Sequence, residues 1–309
     1  MTAYASVREA LESGRGVLLD GGIGSELVRR GVRWRWHGLR TDPDRVQALH
    51  EEYIAAGADV IRTNTFQLNR RTYLNVFRSP EHMRHIGAPD LETRAATLLR
   101  KAVELARAAR ERSGRPVAIA GVGSPLQHCF RPDLAPSERE ARAEHEEIAR
   151  ALAEAGVDFL LFESMNTVRE AVAAVEAARV TGLPVWVSFV LGPEGEILSG
   201  EPLADGVKAV ERAGAECVLV NCAPPEDVGH ALARVRDGLR GGYAHIGKFD
   251  PPSWKFEFHP QWTGTEAWPP ERYAEVAARW REAGALVVGG CCGTTPDHIR
   301  ALRARRERA

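Results

Sequence analysis

Short apolar runs rich in β-branched residues alternate along the chain with Ala/Glu/Arg-rich stretches whose apolar positions recur at helical spacing. The apolar runs 17–20, 59–64, 117–120, 159–163, 185–190, 217–222, 242–246 and 286–290 predict strands. The stretches 43–56, 91–112, 137–155, 167–180, 203–213, 226–238 and 270–283 predict helices, and a last helix starts near Pro296. Four helical stretches end alike, in Ala-Gly-Ala-Asp, Ala-Gly-Val-Asp, Ala-Gly-Ala-Glu and Ala-Gly-Ala-Leu, each directly before a strand. A glycine helix cap leading into a buried strand is what repeated αβ units require. Eight such units in 309 residues predict an α/β protein, a single (β/α)8 TIM barrel spanning residues 1–309. A doubly wound open sheet is the alternative, because periodicity does not show closure. No linker with a shift in composition divides the chain.

Composition narrows the partners. A formal net charge of −1 gives no global field toward nucleic acid or an anionic membrane. Only four lysines occur, Lys101, Lys208, Lys248 and Lys255, and the arginine excess reads with the alanine richness as genome base composition. No run approaches the roughly 18 apolar residues of a membrane span. The first residues carry acidic groups and no apolar h-region, so they do not read as a signal peptide. The five cysteines are an odd number, which argues against a disulfide framework and for a reducing, cytoplasmic setting with a metal or catalytic role.

In a barrel, reactive groups gather at strand C-terminal ends and in the loops that follow. Asp20, Asn64, Glu163, Ser188, Asn221, Cys222, His245, Cys291 and Cys292 each end or follow an apolar run. Cys291 and Cys292 are adjacent in Gly-Gly-Cys-Cys-Gly-Thr-Thr-Pro, and adjacent strand residues point to opposite faces. Both reach one metal only if the chain turns there, a freedom that Gly289, Gly290 and Gly293 supply. With Cys222 they form three soft sulfur ligands with room for a fourth, the pattern of a catalytic Zn2+ site. The competing reading is a set of buried apolar cysteines; that reading is preferred for Cys217 inside its strand. Cys129, in the loop after the third strand, is expected to have no metal role.

These residues resemble the homocysteine S-methyltransferase family. The likeness runs through Leu-Leu-Asp-Gly-Gly-Ile-Gly-Ser-Glu-Leu from Leu18, Gly-Ala-Asp-Val-Ile-Arg-Thr-Asn-Thr-Phe from Gly57 and Gly-Val-Gly-Ser-Pro from Gly121. It continues in Gly-Val-Asp-Phe-Leu-Leu-Phe-Glu-Ser-Met from Gly156, Val-Asn-Cys from Val220 and the Cys-Cys motif from Gly289. The resemblance implies a (β/α)8 barrel, zinc on Cys222, Cys291 and Cys292, and a thiol acceptor as fourth ligand. It implies that Glu163 binds the amino group of homocysteine, and that the turn Asp20, Gly21 and Gly22 holds its carboxylate through backbone N–H groups. Asn64 and His245 are further substrate-binding candidates. The partners would be a small-molecule thiol and a methyl donor, with a homo-oligomer left open.

The seventh strand departs from the family. Where many members carry Tyr-Pro-Asn-Ser-Gly-Glu, this chain has Tyr243-Ala244-His245-Ile246-Gly247-Lys248, so His245 replaces an Asn. Five of the seven tryptophans, Trp34, Trp36, Trp254, Trp262 and Trp268, fall in loops expected on the catalytic face. Aromatic faces attract onium cations, so these loops are expected to form a lid over the methyl donor. Packing of the lid or of a subunit interface is the competing reading.

Overall fold

The computed structural model describes residues 2–32, 35–71, 85, 90–250 and 261–308. It is a TIM barrel. Eight parallel strands form it: β1 (Val17–Leu18), β2 (Val60–Arg62), β3 (Ala118–Gly123), β4 (Phe159–Met165), β5 (Val185–Val190), β6 (Cys217–Asn221), β7 (Leu239–Ala244) and β10 (Val287–Gly290). They follow the order β1-β10-β7-β6-β5-β4-β3-β2. A parallel bridge between Leu19 and Val60, with Asp20 N donating to Val60 O at 3.0 Å, joins the two ends of the sheet. This closure excludes the doubly wound alternative.

Helices α1 (Ala3–Glu12), α2 (Ile23–Arg29), α3 (Pro43–Ala56), α4 (Leu91–Ser113), α5 (Glu138–Ala155), α6 (Val168–Ala178), α7 (Leu203–Ala213), α8 (Pro225–Arg234), α9 (Pro270–Glu282) and α10 (Pro296–Arg306) complete the described helices. The Gly caps behave as their motif predicts: Gly57, Gly156 and Gly214 end α3, α5 and α7 with φ of 109°, 93° and 113°. The acids that follow them are tied in too. Asp59 accepts from Leu18 N at 2.9 Å and Asp158 from Ile119 N at 2.7 Å, so each lashes its strand to the preceding one.

Strand alternation divides the core in two. Leu18, Ile61, Leu160, Phe162 and Val187 pack outward against the helices, while Val17, Leu19, Val60, Phe159, Leu161, Trp186 and Leu219 fill the barrel. Helix α1, absent from the predicted elements, plugs the barrel's N-terminal end with Tyr4, Val7 and Ala10. The Tyr4 hydroxyl donates to Glu216 at 2.8 Å and accepts from Trp186 Nε1 at 3.1 Å.

Two predicted elements differ and an unpredicted strand pair appears. Strand β7 begins at Leu239 and ends at Ala244, so His245 lies just past the strand. Its sequence Leu-Arg-Gly-Gly-Tyr-Ala has no β-branched residue to announce a strand. Helix α8 correspondingly stops at Arg234, short of the predicted 238. The segment after β7 carries an antiparallel pair, β8 (Lys248–Asp250) and β9 (Gln261–Thr263), with Lys248 opposite Thr263. No described helix is long and apolar enough to cross a membrane.

One buried group makes the fold acid-sensitive. His50 on α3 is fully buried, and neither ring nitrogen has a hydrogen-bond partner among the described residues. Burial lowers its pKa to about 4 from the 6.5 of a free histidine. The unfolded chain therefore binds more protons between about pH 6.5 and pH 4, and stability falls as pH drops through that window. The loss from this one group approaches about 2–3 kcal/mol by pH 4.5. Urea unfolding at pH 7 and pH 4.5 should show a smaller drop for His50→Leu than for the parent; equal drops would refute it.

Candidate active site

Alternation along the strands aims a polar layer inward at the C-terminal mouth: Arg62 two residues beyond Val60, Glu163 two beyond Leu161, Ser188 two beyond Trp186, Asn221 two beyond Leu219. Tyr243 on β7 joins them. Sequence reasoning named Glu163, Ser188 and Asn221 in this layer but missed the parts of Arg62 and Tyr243. Arg62 had a signal, being a charged residue directly after the apolar pair Val60-Ile61.

Arg62 is the hub. Its Nε donates to Asp20 Oδ1 at 2.6 Å, and its backbone N–H to Asp20 Oδ2 at 2.9 Å. Nη1 donates to Glu163 Oε2 at 3.0 Å. Nη2 reaches the carbonyls of Asp20, Gly21 and Gly290 at 3.2, 2.8 and 2.7 Å. Its guanidinium carbon lies 4.7 Å from the centre of the Tyr243 ring. Burial pushes both the Asp20 and Glu163 carboxyls up, and in each the Arg62 charge is the chief force opposing it. Burial also works against the Arg62 cation, but Asp20 and Glu163 outweigh it and hold its pKa well above the ordinary value.

Asp20 is fully buried with both carboxylate oxygens engaged by Arg62. Gly22 N–H donates to Thr294 Oγ1 at 3.1 Å. Gly22 is needed there for a different reason: a Cβ would stand 2.5 Å from the Cys291 carbonyl oxygen. The first turn is thus packed directly on the Cys-Cys turn. Glu163 Oε2 also accepts from the Tyr243 hydroxyl at 3.0 Å, whereas Oε1 has no hydrogen-bond partner among the described residues. Just past Glu163, Ser164 adopts φ 58° at an irregularity in β4. Its N–H donates to Asn221 Oδ1 at 3.0 Å, and its hydroxyl accepts from Asn221 Nδ2 at 2.7 Å.

The cysteines are brought together by main-chain bonds lacing three strand ends. Cys222 leaves β6 in the left-handed region, φ 52°, with its N–H on Tyr243 O at 3.3 Å. A non-glycine residue there costs about 1–2 kcal/mol, offset by such anchoring. Cys291 N donates to Ala244 O, and Ile246 N to Cys292 O, both at 2.9 Å. The turn predicted at Cys291–Cys292 is present, and Gly293 closes it at φ 84°.

The sulfurs of Cys222, Cys291 and Cys292 all lie within 4.8 Å of one another. Cys222 and Cys291 are buried, and Cys292 is half-buried. Hydrogen bonds from Cys222 and Cys292 hold the Cys291 thiol well below its ordinary range, and the Arg62 charge helps. Bonds with Cys291 and then with Cys292 push Cys222 up; for Cys292 the bond with Cys222 pulls down, but the bond with Cys291 and burial outweigh it. The trio is thus a set of sulfur donors whose thiolate character is drawn to Cys291. Such a soft, electron-rich donor set fits a thiophilic cation with an open fourth position.

The other candidates are placed as follows. Cys217 begins β6, buried in the barrel interior. Cys129 is buried outside the trio, its thiol pushed up to about 12 by burial and then by the Cys291 charge. Asn64 Nδ2 donates to His37 O at 2.7 Å, and His37 Nε2 meets Phe66 O at 2.6 Å. Asn64 thus ties the loop that carries Trp36 onto the end of β2. His245 does not belong to the sulfur group; its ring packs on Trp262 at 5.2 Å, and burial lowers its pKa against the pull of Cys291.

The expected lid falls partly outside the described residues: Trp34 and Trp254 lie there, and the side chain of Trp36 is not described. Trp262 and Trp268 line a cleft of about 290 Å³ beside the Cys-Cys turn, with Ser25, Gly293 and Thr295. Trp268 already carries Arg272 over its ring, 4.4 Å from the centre.

Fold and site define a (β/α)8 barrel with a thiol centre and a buried carboxylate at its catalytic mouth. The chain belongs to the homocysteine S-methyltransferase family, whose model matches residues 17–306. It is 28% identical to betaine–homocysteine S-methyltransferase 1 of Bos taurus, covering 96% of this chain and 73% of that one. It is 30% identical to S-methylmethionine–homocysteine S-methyltransferase BHMT2 of Rattus norvegicus, with coverages of 96% and 80%. The homocysteine methyltransferase MmuM from Escherichia coli, in its metallated form, superposes with a TM-score of 0.77 at 25% identity, covering 97% of this chain and 99% of that one.

Proposed function

We propose that the protein is a zinc-dependent enzyme moving a methyl group from an onium donor to the thiol of homocysteine, giving methionine. The observation that carries this reading is the convergence of three cysteine sulfurs within 4.8 Å at the barrel mouth that also holds Glu163. Cys222, Cys291 and Cys292 would hold the metal. Zinc bound there would supply the Lewis acidity that keeps the acceptor sulfur deprotonated near neutral pH, where a free thiol, pKa about 8.5, is mostly protonated.

The residues of the chain bind and orient. Glu163 Oε1 takes the acceptor's ammonium group. The backbone turn at Asp20–Gly21 lies alongside through Arg62, although Asp20 N–H is committed to Val60 and Gly22 N–H to Thr294. In the transfer, a sulfur–carbon bond forms on the acceptor. The carbon–nitrogen or carbon–sulfur bond of the donor breaks, its electron pair stays with the leaving amine or thioether, and the thiol proton goes to solvent. A neutral leaving group needs no general acid. Alignment of the two reactants supplies much of the rate. The onium donor is supported by relatives named for betaine and S-methylmethionine and by the tryptophan-lined cleft beside the Cys-Cys turn.

The test is an acceptor–donor matrix. Zinc-loaded protein is incubated with homocysteine and each of betaine, S-methylmethionine, S-adenosylmethionine, dimethylsulfoniopropionate and methylcobalamin. Methionine should form with at least one of the onium compounds. Methionine from methylcobalamin alone would overturn the donor class, and none from any donor would overturn the activity.

A further inference from the structure

We infer that Arg62 is a positioning residue that makes Glu163 a single-oxygen receptor for an ammonium group, and so selects thiols that carry an amine. This rests on the proposed function for the acceptor, and adds what makes the recognition work.

The geometry carries the argument. The guanidinium is fixed on three sides: Asp20 holds Nε, three carbonyls from the β1 and β10 ends hold Nη2, and the Tyr243 ring lies against its face. Only Nη1 is turned to Glu163. Arg62 and Tyr243 donate to the same oxygen, Oε2, both at 3.0 Å. Two donors on one oxygen fix the carboxylate plane and leave Oε1 as the acceptor presented to the pocket. A planar fork does this where a lysine point charge would not.

Charge makes the same choice. With both carboxyls ionised, Asp20, Arg62 and Glu163 together carry one negative charge, and Asp20 is paired with Arg62 from a fully buried position. The charge left over belongs to Glu163, whose side chain is the least buried of the three at 11% exposure. A cationic group on the acceptor would meet a pre-oriented anion, and a thiol without one would gain nothing there. Asp20, expected to act in the acceptor turn, serves here to anchor Arg62.

The test compares binding of L-homocysteine with that of 4-mercaptobutanoate, the same skeleton without the amine, by calorimetry on zinc-loaded protein. Arg62→Met alone would leave Asp20 buried and unpaired, so the informative variant is Asp20→Asn/Arg62→Met, which keeps the summed charge of the trio. The wild type should bind homocysteine at least about tenfold more tightly than 4-mercaptobutanoate. The double variant should lose most of that preference by weakening homocysteine alone, with zinc content intact. Arg62→Lys, which keeps the charge without the fork, should fall between and serves if the double variant does not fold. A preference retained in the variants overturns the inference, as does equal weakening of both thiols or a wild type without preference. A preference lost as expected, in a protein that transfers no methyl group, supports the inference and refutes only the proposed function.

Discussion

Replacing any one of Cys222, Cys291 and Cys292 by alanine should abolish zinc binding, expected at about one ion per chain in the parent, and with it methyl transfer. The three sulfurs lie within 4.8 Å of one another, Cys222 after β6 and Cys291 and Cys292 after β10, and no other described side chain belongs to the group. Thiol-rich zinc sites bind with about 10–16 kcal/mol in all, so one ligand of three carries enough to weaken binding roughly a hundredfold or more. Cys217→Ala is the control. It removes a sulfur from the start of β6, inside the barrel, and should cost about 1 kcal/mol of stability while metal and activity remain. Elemental analysis and a methionine-formation assay on the four variants decide the matter. Full zinc occupancy in Cys292→Ala would refute the ligand set.

Glu163→Gln should leave zinc in place and raise the homocysteine KM at least about thirtyfold. The amide is isosteric, but it removes the charge proposed to face the acceptor's ammonium. Truncating one partner of a desolvated charge pair typically costs about 2–5 kcal/mol. The substitution also leaves Arg62 paired with Asp20 alone, through a contact of 2.6 Å. The change should fall on the acceptor KM and spare the donor KM, and 4-mercaptobutanoate should be nearly indifferent to it. An unchanged homocysteine KM would assign Glu163 a structural role only.

Much of this was legible in the chain because barrels use alternation. Polar residues within or at the end of apolar runs, such as Glu163, Ser188 and Asn221, line the mouth because every second strand residue points inward. The Cys-Cys turn was legible because two adjacent cysteines share a site only if glycines let the chain bend. What was not legible is non-local. Asp20 and Glu163 could be named as site residues, but nothing in the sequence says that Arg62, on a third strand, claims both oxygens of one and one oxygen of the other. That pairing needs the closure of β1 on β2 and the order of β2, β3 and β4. Strand β7 was misjudged at its start because glycine and arginine stand where β-branched residues usually announce a strand. Helices α1 and α2 are short and sit among glycines and polar residues, so their pattern did not rise above a loop.

The central claim, that the cysteine trio holds a zinc open to the acceptor's sulfur, is tested most directly by zinc X-ray absorption on the purified protein. Three sulfur scatterers at about 2.3 Å, with a lighter fourth ligand, are predicted before substrate is added. Adding L-homocysteine should raise the sulfur count to four. A count that stays at three, or fewer than three sulfurs at the start, would contradict the account.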